Sequence, residues 1–407
     1  MHYDVIIVGA RVAGASTALL LARAGYRVLV VDKTTFPSDT MSGHFIHPRG
    51  LLALRRWGLL EKVEATNCPP ARKLRMDAGP HSFATQVLPL DGIDFGLAPR
   101  RFIFDTLLIR EAVAAGAELR EGFSVQELLR DGDRVRGIVG RTAAGTRVTE
   151  EASLVIGADG LHSLVARTVK APAYHTYPTQ GCTYYSYWSG VEQDGVGFYM
   201  REGFVILTTP TNNNQVLVGV VRPIAAFPQV KQHVRASFFA AIAQAPELAE
   251  RLRQGNQEER FVGTGDQPNF FRKPYGPGWA LVGDAGYHKD PVTAQGMSDA
   301  LIDAERLAQA IESGFSGRRP LQEALQEYEQ ERNRQAKALY EFTVKFAALS
   351  PSPEQHQLLE ALPHDPEAAQ GFFGVIEGSI AVDEYFASEH MSAILAANQR
   401  RKATTSA

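Results

Sequence analysis

The sequence predicts an α/β fold. One parallel-sheet domain is assembled from separated stretches of chain, around an inserted antiparallel sheet, and C-terminal helices follow. Three observations predict it. A strand, a glycine turn, a helix and a second strand open the chain. Glycine-bearing motifs recur near residues 157 and 283. Between them, residues 174–221 are rich in Tyr, Thr, Val and Phe, with turn signals at Asp194-Gly195 and at Asn212, Asn213 and Asn214.

The elements follow in order. Residues 3–8 are β-branched and apolar on both faces, as a strand inside a parallel sheet must be. Gly9 ends it. Residues 12–24 read as a helix, with Gly25 where a terminating glycine belongs. Residues 27–31 form a second strand, closed by Asp32. This is a βαβ unit with a right-handed crossover, the start of a Rossmann-type domain. Residues 34–47 lack periodicity and read as a loop. Residues 49–63 are expected to form one helix and 102–115 another. Residues 118–151 alternate around turns, which predicts hairpins, and 153–156 make the next strand. The aromatic stretch predicts an antiparallel sheet. Residues 230–254 read as helical, 279–282 as a strand, and about 293–312 as a helix. Pro320 opens a long helix over 321–349. The tail beyond Arg400 is polar and expected to fray.

At roughly 150 residues per domain, 407 residues suit two or three units. The 42 basic and 45 acidic side chains leave a charge of −3, which argues against a binder that neutralises nucleic-acid phosphates. No apolar run reaches the roughly 18 residues that span a bilayer. Nor does a secretory leader open the sequence. The two cysteines, Cys68 and Cys182, build no disulfide framework and are expected as reduced thiols of a cytoplasmic protein. No residue cluster has metal-ligand spacing, so no metal is expected. Oligomeric state is open.

Three motifs carry chemistry. In Gly9-Ala10-Arg11-Val12-Ala13-Gly14, two glycines fit a dinucleotide fingerprint, where a tight turn delivers a pyrophosphate to a helix N-terminus. Arg11 takes the place of the middle glycine. By itself the motif could also be an ordinary βα turn. Asp32 stands where a carboxylate accepts from ribose hydroxyls and disfavours a 2′-phosphate. The second motif is Gly157-Ala158-Asp159-Gly160. The third is Gly283-Asp284-Ala285, continuing through Asp290-Pro291 to Gly296-Met297.

In this order and spacing, the motifs resemble the FAD-dependent monooxygenase superfamily of the para-hydroxybenzoate hydroxylase type, which includes geranylgeranyl reductase-like enzymes. The resemblance runs from Tyr3 to about Leu307. It implies a discontinuous Rossmann-type FAD-binding domain over 1–75, 98–172 and 265–320. A substrate domain would take 76–97 and 173–264, and a helical region 321–400. Gly9, Ala10, Arg11, Ala13, Gly14, Asp32 and Lys33 would hold the ADP half of FAD. Arg101 would contact the cofactor, and Asp159 would lie near the pyrophosphate. Gly283 and Asp284 would meet the ribityl chain. The N–H groups of Gly296 and Met297 would face the flavin pyrimidine, where a helix N-terminus stabilises the charge of reduced flavin. Pro291 would stiffen that approach. The chain departs from the pattern at Arg11, and at Ser298, where the hydroxylases commonly carry Asn.

The substrate side is expected in the aromatic sheet, with Tyr185, Tyr187 and Phe198 as candidates. Successive residues on a strand face opposite ways, so only about half of its aromatics can share one cavity. His288 and His47 are candidate acid–base groups beside the flavin, with Pro291 next to them; His44 is a further histidine of the same loop. The resemblance implies an NAD(P)H-dependent monooxygenase. Its reduced flavin would react with O2 to a C4a-hydroperoxide and hydroxylate a small aromatic or other apolar molecule. The alternative is a C=C reductase of the geranylgeranyl type, toward which the Arg101, Phe104, Asp105 segment leans. A flavin-binding sensor is the non-enzymatic alternative. Halogenation is disfavoured, because that branch carries a Trp-x-Trp pair and Trp57, Trp188 and Trp279 stand far apart.

Overall fold

The computed structural model describes residues 2–405. Its central sheet runs Tyr275–Gly276, Trp279–Leu281, Arg147–Gly157, His2–Val8, Val28–Val31, Glu118–Arg120. From Trp279–Leu281 to Glu118–Arg120 the pairings are parallel. Val5, Ile6, Ile7, Leu154, Val155 and Ile156 are all fully buried. Strands apolar on both faces can be covered only inside a sheet with helices on its sides, so three distant stretches of chain end up as neighbours. The hairpin of Ser124–Asp131 and Arg134–Arg141 joins this sheet by antiparallel pairing to Arg147–Gly157.

A second sheet runs Asn256–Gln257, Gly181–Ser189, Gln215–Pro223, Phe204–Thr211, Val196–Arg201, Lys73–Ala78, His81–Gln86. The aromatic stretch pairs antiparallel throughout. Lys73–Ala78 enters parallel to Val196–Arg201. One face packs on the helix Val234–Ile242, where Trp188 stacks on Phe238 with centroids 6.0 Å apart. The opposite face carries Tyr185, Phe198, Leu207 and Leu217 toward a cavity.

Four helical expectations need correction. Residues 49–63 form two helices, Pro48–Arg56 and Leu60–Glu64, because Gly58 turns the chain at φ +70°. Residues 230–254 lie in three, Phe227–Gln232, Val234–Ile242 and Pro246–Gln254, because His233 leaves helical geometry and Pro246 starts afresh. The helix expected from residue 293 begins at Gly296, since Ala294 is left-handed at φ +53°. The tail does not fray at Arg400: Ser388–Thr405 is helical.

The long helix Leu321–Ala347 is followed by Pro353–Ala361 and Pro366–Glu377. Phe373, on the last of these, packs against Phe83 and Phe198 with centroids 5.8 and 5.7 Å away. The C-terminal region therefore covers the second sheet at the cavity.

Candidate active site

A cavity of about 940 Å³ runs from the first βα turn to the second sheet and the helix Pro366–Glu377. At its first end, Gly9 has φ +107°, and a Cβ there would lie 2.4 Å from the Ala158 carbonyl oxygen. A Cβ on Gly14 would lie 1.8 Å from the Gly9 oxygen. Both glycines are thus demanded by strand and helix packing. The helix Val12–Arg23 starts there with no side chain capping it. Its first N–H groups have no intrahelical partner and suit an anion. Gly9, Arg11, Val12 and Ala13 line the cavity; Ala10 is buried behind them.

Asp32 lines the same end. Its carboxylate accepts from the Ala10 and Thr34 N–H groups, both at 2.8 Å. Lys33 is exposed beside it. Arg11 sends its guanidinium away from the turn, donating to Asp105 at 2.8 Å. Asp105 also accepts from Arg101 at 2.8 and 2.9 Å. Burial opposes the charge on Arg101, yet Asp105 and more distant Asp284 hold its pKa above the usual value. Asp159 is committed to the protein: it accepts from the Ser163 hydroxyl at 2.5 Å and the Leu164 N–H at 2.6 Å, at the start of the short helix Leu164–Thr168. Burial still pushes its pKa up.

Further along, Asp284 sits in the turn Gly283–Ala285, exposed to the cavity and with no hydrogen-bond partner among the described residues. The helix Gly296–Phe315 starts beside it, again with no side-chain cap; Gly296 is exposed and Met297 lines the cavity. Beneath this first turn, Asp299 pairs with Lys289 and Arg49. Burial opposes its charge, but Lys289 and Arg49 hold it below the usual carboxylate range. Behind the uncapped helix terminus, Lys289 is thus held in a buried ion pair with Asp299, and burial lowers its pKa.

The histidines differ sharply. His288 is half-buried at the cavity; its Nδ1 lies 2.5 Å from the Pro268 carbonyl oxygen. As the donor there, it leaves Nε2 free. His47 is buried, with Nε2 3.0 Å from the Thr293 carbonyl oxygen and its backbone N–H donating to the Ser298 hydroxyl at 3.0 Å. Burial, aided by Arg49, lowers its pKa to about 3, so it is a neutral imidazole that ties the loop to the Gly296 helix. Ser298, in the place of the expected Asn, makes that tie. Pro291 opens a tight turn in the wall, Pro291–Thr293, capped by Asp290, which accepts from the Val292 N–H at 3.0 Å.

At the far end the wall is mainly apolar, with Tyr185, Phe198, Leu207, Leu217, Phe373 and Ile376 beside Thr183, Thr209 and Glu377. Tyr185 accepts from the Ser42 N–H at 3.0 Å. Tyr187 is not part of the lining. Its ring lies under Arg100, whose Cζ is 3.7 Å from the centroid, and its hydroxyl meets buried His44. Phe373, Ile376 and Glu377 were not anticipated. Their i, i+3, i+4 spacing was the available signal, but nothing local says which sheet such a helix will cover. Among the described residues no cluster of three or more His, Cys, Asp or Glu could hold a metal ion. No described helix is long and apolar enough to cross a membrane.

This donor set fits FAD. Two uncapped helix N-termini, a carboxylate at Asp32 that ends the second strand and an uncommitted carboxylate at Asp284 line one cavity. The chain is similar to several known proteins. It is 25% identical over 336 residues to a 1H-pyrrole-2-carbonyl-[peptidyl-carrier protein] chlorinase of Pseudomonas fluorescens, covering 74% of each. It is 27% identical over 384 residues to digeranylgeranylglycerophospholipid reductase 2 of Methanopyrus kandleri, covering 90% of this chain and 91% of that protein. With 6-methylpretetramide 4-monooxygenase of Streptomyces rimosus it shares 25% over 312 residues, 74% of this chain and 73% of the other. The solved structure of the myxobacterial chondrochloren halogenase shares the fold, with a TM-score of 0.80 at 20% identity over 98% of this chain and 96% of that one. The lack of a Trp-x-Trp pair therefore does not set the chain apart from halogenases in overall similarity. The family model described as an FAD binding domain matches residues 2–264, and the chain belongs to that family, as an FAD-dependent oxidoreductase.

Proposed function

We propose that the protein is an FAD-dependent monooxygenase that takes electrons from NAD(P)H and oxygen from O2, and hydroxylates a small aromatic or other largely apolar molecule. One observation carries this reading: a single cavity joins the FAD-type cradle to an apolar chamber walled by Tyr185, Phe198, Leu207 and Phe373. Bound FAD would supply the electron transfer to dioxygen. The N–H groups after Arg11 and the Asp32 carboxylate would hold its ADP half, and Asp284 its ribityl hydroxyls. The start of the Gly296 helix, with Lys289 behind it, would stabilise negative charge on the reduced ring. The apolar wall excludes water and orients the substrate. His288, with a ring nitrogen free, is the candidate to move a proton there. No second complete dinucleotide fingerprint stands in the sequence, so NAD(P)H would meet the flavin without a Rossmann domain of its own.

An oxygen electrode, run during NADPH oxidation with candidate aromatics, tests the reading. The expected result is O2 uptake matched to NADPH consumed and to a hydroxylated product. NADPH oxidation with C=C reduction and no O2 uptake would favour the reductase reading, which the extended similarity to the Methanopyrus enzyme supports. A product that forms only with chloride or bromide present would overturn hydroxylation in favour of halogenation.

A further inference from the structure

Glu377 ends the helix Pro366–Glu377 and lines the cavity together with Phe373 and Ile376. At spacings i, i+3 and i+4 these three share one helix face, and Phe373 already packs on Phe198 across the chamber. Glu377 is 1% exposed, and neither carboxylate oxygen has a hydrogen-bond partner. Buried polar groups in folded proteins are nearly always paired, since an orphaned one keeps its full desolvation cost. Nothing in the resting wall meets that cost here. Burial pushes its carboxyl up to about 8; the Leu88 backbone N–H acts against the shift without completing a hydrogen bond, and no charged side chain contributes. At neutral pH the group is therefore mostly a neutral acid, able both to donate and to accept. Its place is also held. Gln295, next to the start of the Gly296 helix, donates to the Ile376 carbonyl, and Arg49 donates to Gln295 in turn. The acid is thus anchored to the helix that would face the flavin.

We propose that Glu377 is the polar anchor of the substrate chamber, and that the substrate is a largely apolar molecule bearing one neutral hydrogen-bonding oxygen, a phenol or a carbonyl, which pairs with this carboxyl. The inference rests on the chamber being the substrate site. It adds that specificity comes from the C-terminal helical region as well as from the aromatic sheet. A cationic amine is a poorer match, because the neutral acid carries no charge to offer it.

The test uses FAD-loaded enzyme and binding, not turnover. Arene pairs that differ only in a hydroxyl are titrated: benzene with phenol, naphthalene with β-naphthol. Dissociation constants are read from perturbation of the flavin absorbance. The native enzyme should prefer the hydroxylated member by roughly tenfold, about what one buried hydrogen bond provides. Glu377→Leu should abolish the preference, and Glu377→Gln, which can still donate and accept, should keep most of it. Absence of any preference in the native enzyme, or an undiminished one in a Glu377→Leu variant that retains FAD, would overturn the proposal. So would tighter binding of 2-(aminomethyl)naphthalene, a cation at neutral pH, than of β-naphthol. O2 uptake is measured separately on the same samples, so the monooxygenase reading can fail while the anchor stands, and the reverse.

Discussion

Arg11 Nη1 donates to Asp105 Oδ2 at 2.8 Å, and that carboxylate is fully buried. The same group takes both nitrogens of the Arg101 fork. One carboxylate therefore ties the turn Gly9–Gly14 to the helix Arg101–Ala114. This is how an arginine occupies a fingerprint position that a glycine commonly fills. At φ −85° and ψ −167° its backbone is extended, and its side chain leaves the turn for a partner 94 residues away.

Removal of that partner should be costly. Asp105→Ala strands the buried Arg101 guanidinium, while Arg11 keeps its bonds to Ser38 and Asp39, and is expected to destabilise the fold by about 3–5 kcal/mol. Arg11→Ala leaves the Arg101 pair intact and should cost about 1 kcal/mol. Urea midpoints at constant m-value measure both. Equal losses would mean that Arg101 does not hold the carboxylate on its own.

Asp284 makes no hydrogen bond within the described protein. Asp284→Ala should therefore leave the stability of the FAD-free protein nearly unchanged. FAD retention should weaken by about 1.5–3 kcal/mol, the worth of a charge-assisted hydrogen bond. Equilibrium dialysis against free FAD reads the second quantity and thermal unfolding of the apoprotein the first. Unchanged FAD affinity would remove Asp284 from the cofactor site.

His47 is depressed to about 3 from an ordinary 6.5, chiefly by burial. The native state keeps it neutral where the unfolded chain takes up a proton. Its contribution is thus present above pH ~6.5 and lost progressively as the pH falls toward 3. His47→Gln should lessen the slope of stability against pH in this window by about one proton. Chemical denaturation at a series of pH values gives that slope; an unaltered one would show that His47 can be protonated in the folded protein.

Glu377 shifts in the opposite direction, upward to about 8. Between its ordinary value near 4.5 and 8, the native state holds a proton that the unfolded chain releases. Stability should therefore decline as the pH rises through that window and level off above it. Glu377→Gln should remove the decline and be the more stable protein at pH 8. A native enzyme and variant with parallel pH profiles would contradict a neutral buried acid.

The βαβ opening and the glycine turns that line the cavity were legible because each has a local cause. Residues 3–8 can be buried only on both faces; Gly9 and Gly14 stand where a Cβ would collide with backbone; and Gly296 opens a helix whose N–H groups need a partner. The helix boundaries were read less well, since Gly58 and Ala294 break helical patterns through a backbone angle that composition does not reveal.

The rest depends on which surfaces meet. Tyr185 and Tyr187 lie on the same face of one strand, but only Tyr185 reaches the cavity, because Arg100 and His44 cover the other ring. Asp105 reads as an ordinary helix residue until Arg11 and Arg101 converge on it. Glu377 is an unremarkable charge near a helix end until Phe373 docks on Phe198 and takes the carboxyl out of water. Backbone geometry and strand burial act over a few residues and so are written in the residues themselves. Pairing of side chains across the cavity is a property of packing between segments some 180 residues apart in the chain, and it exists only once the sheets and helices have closed.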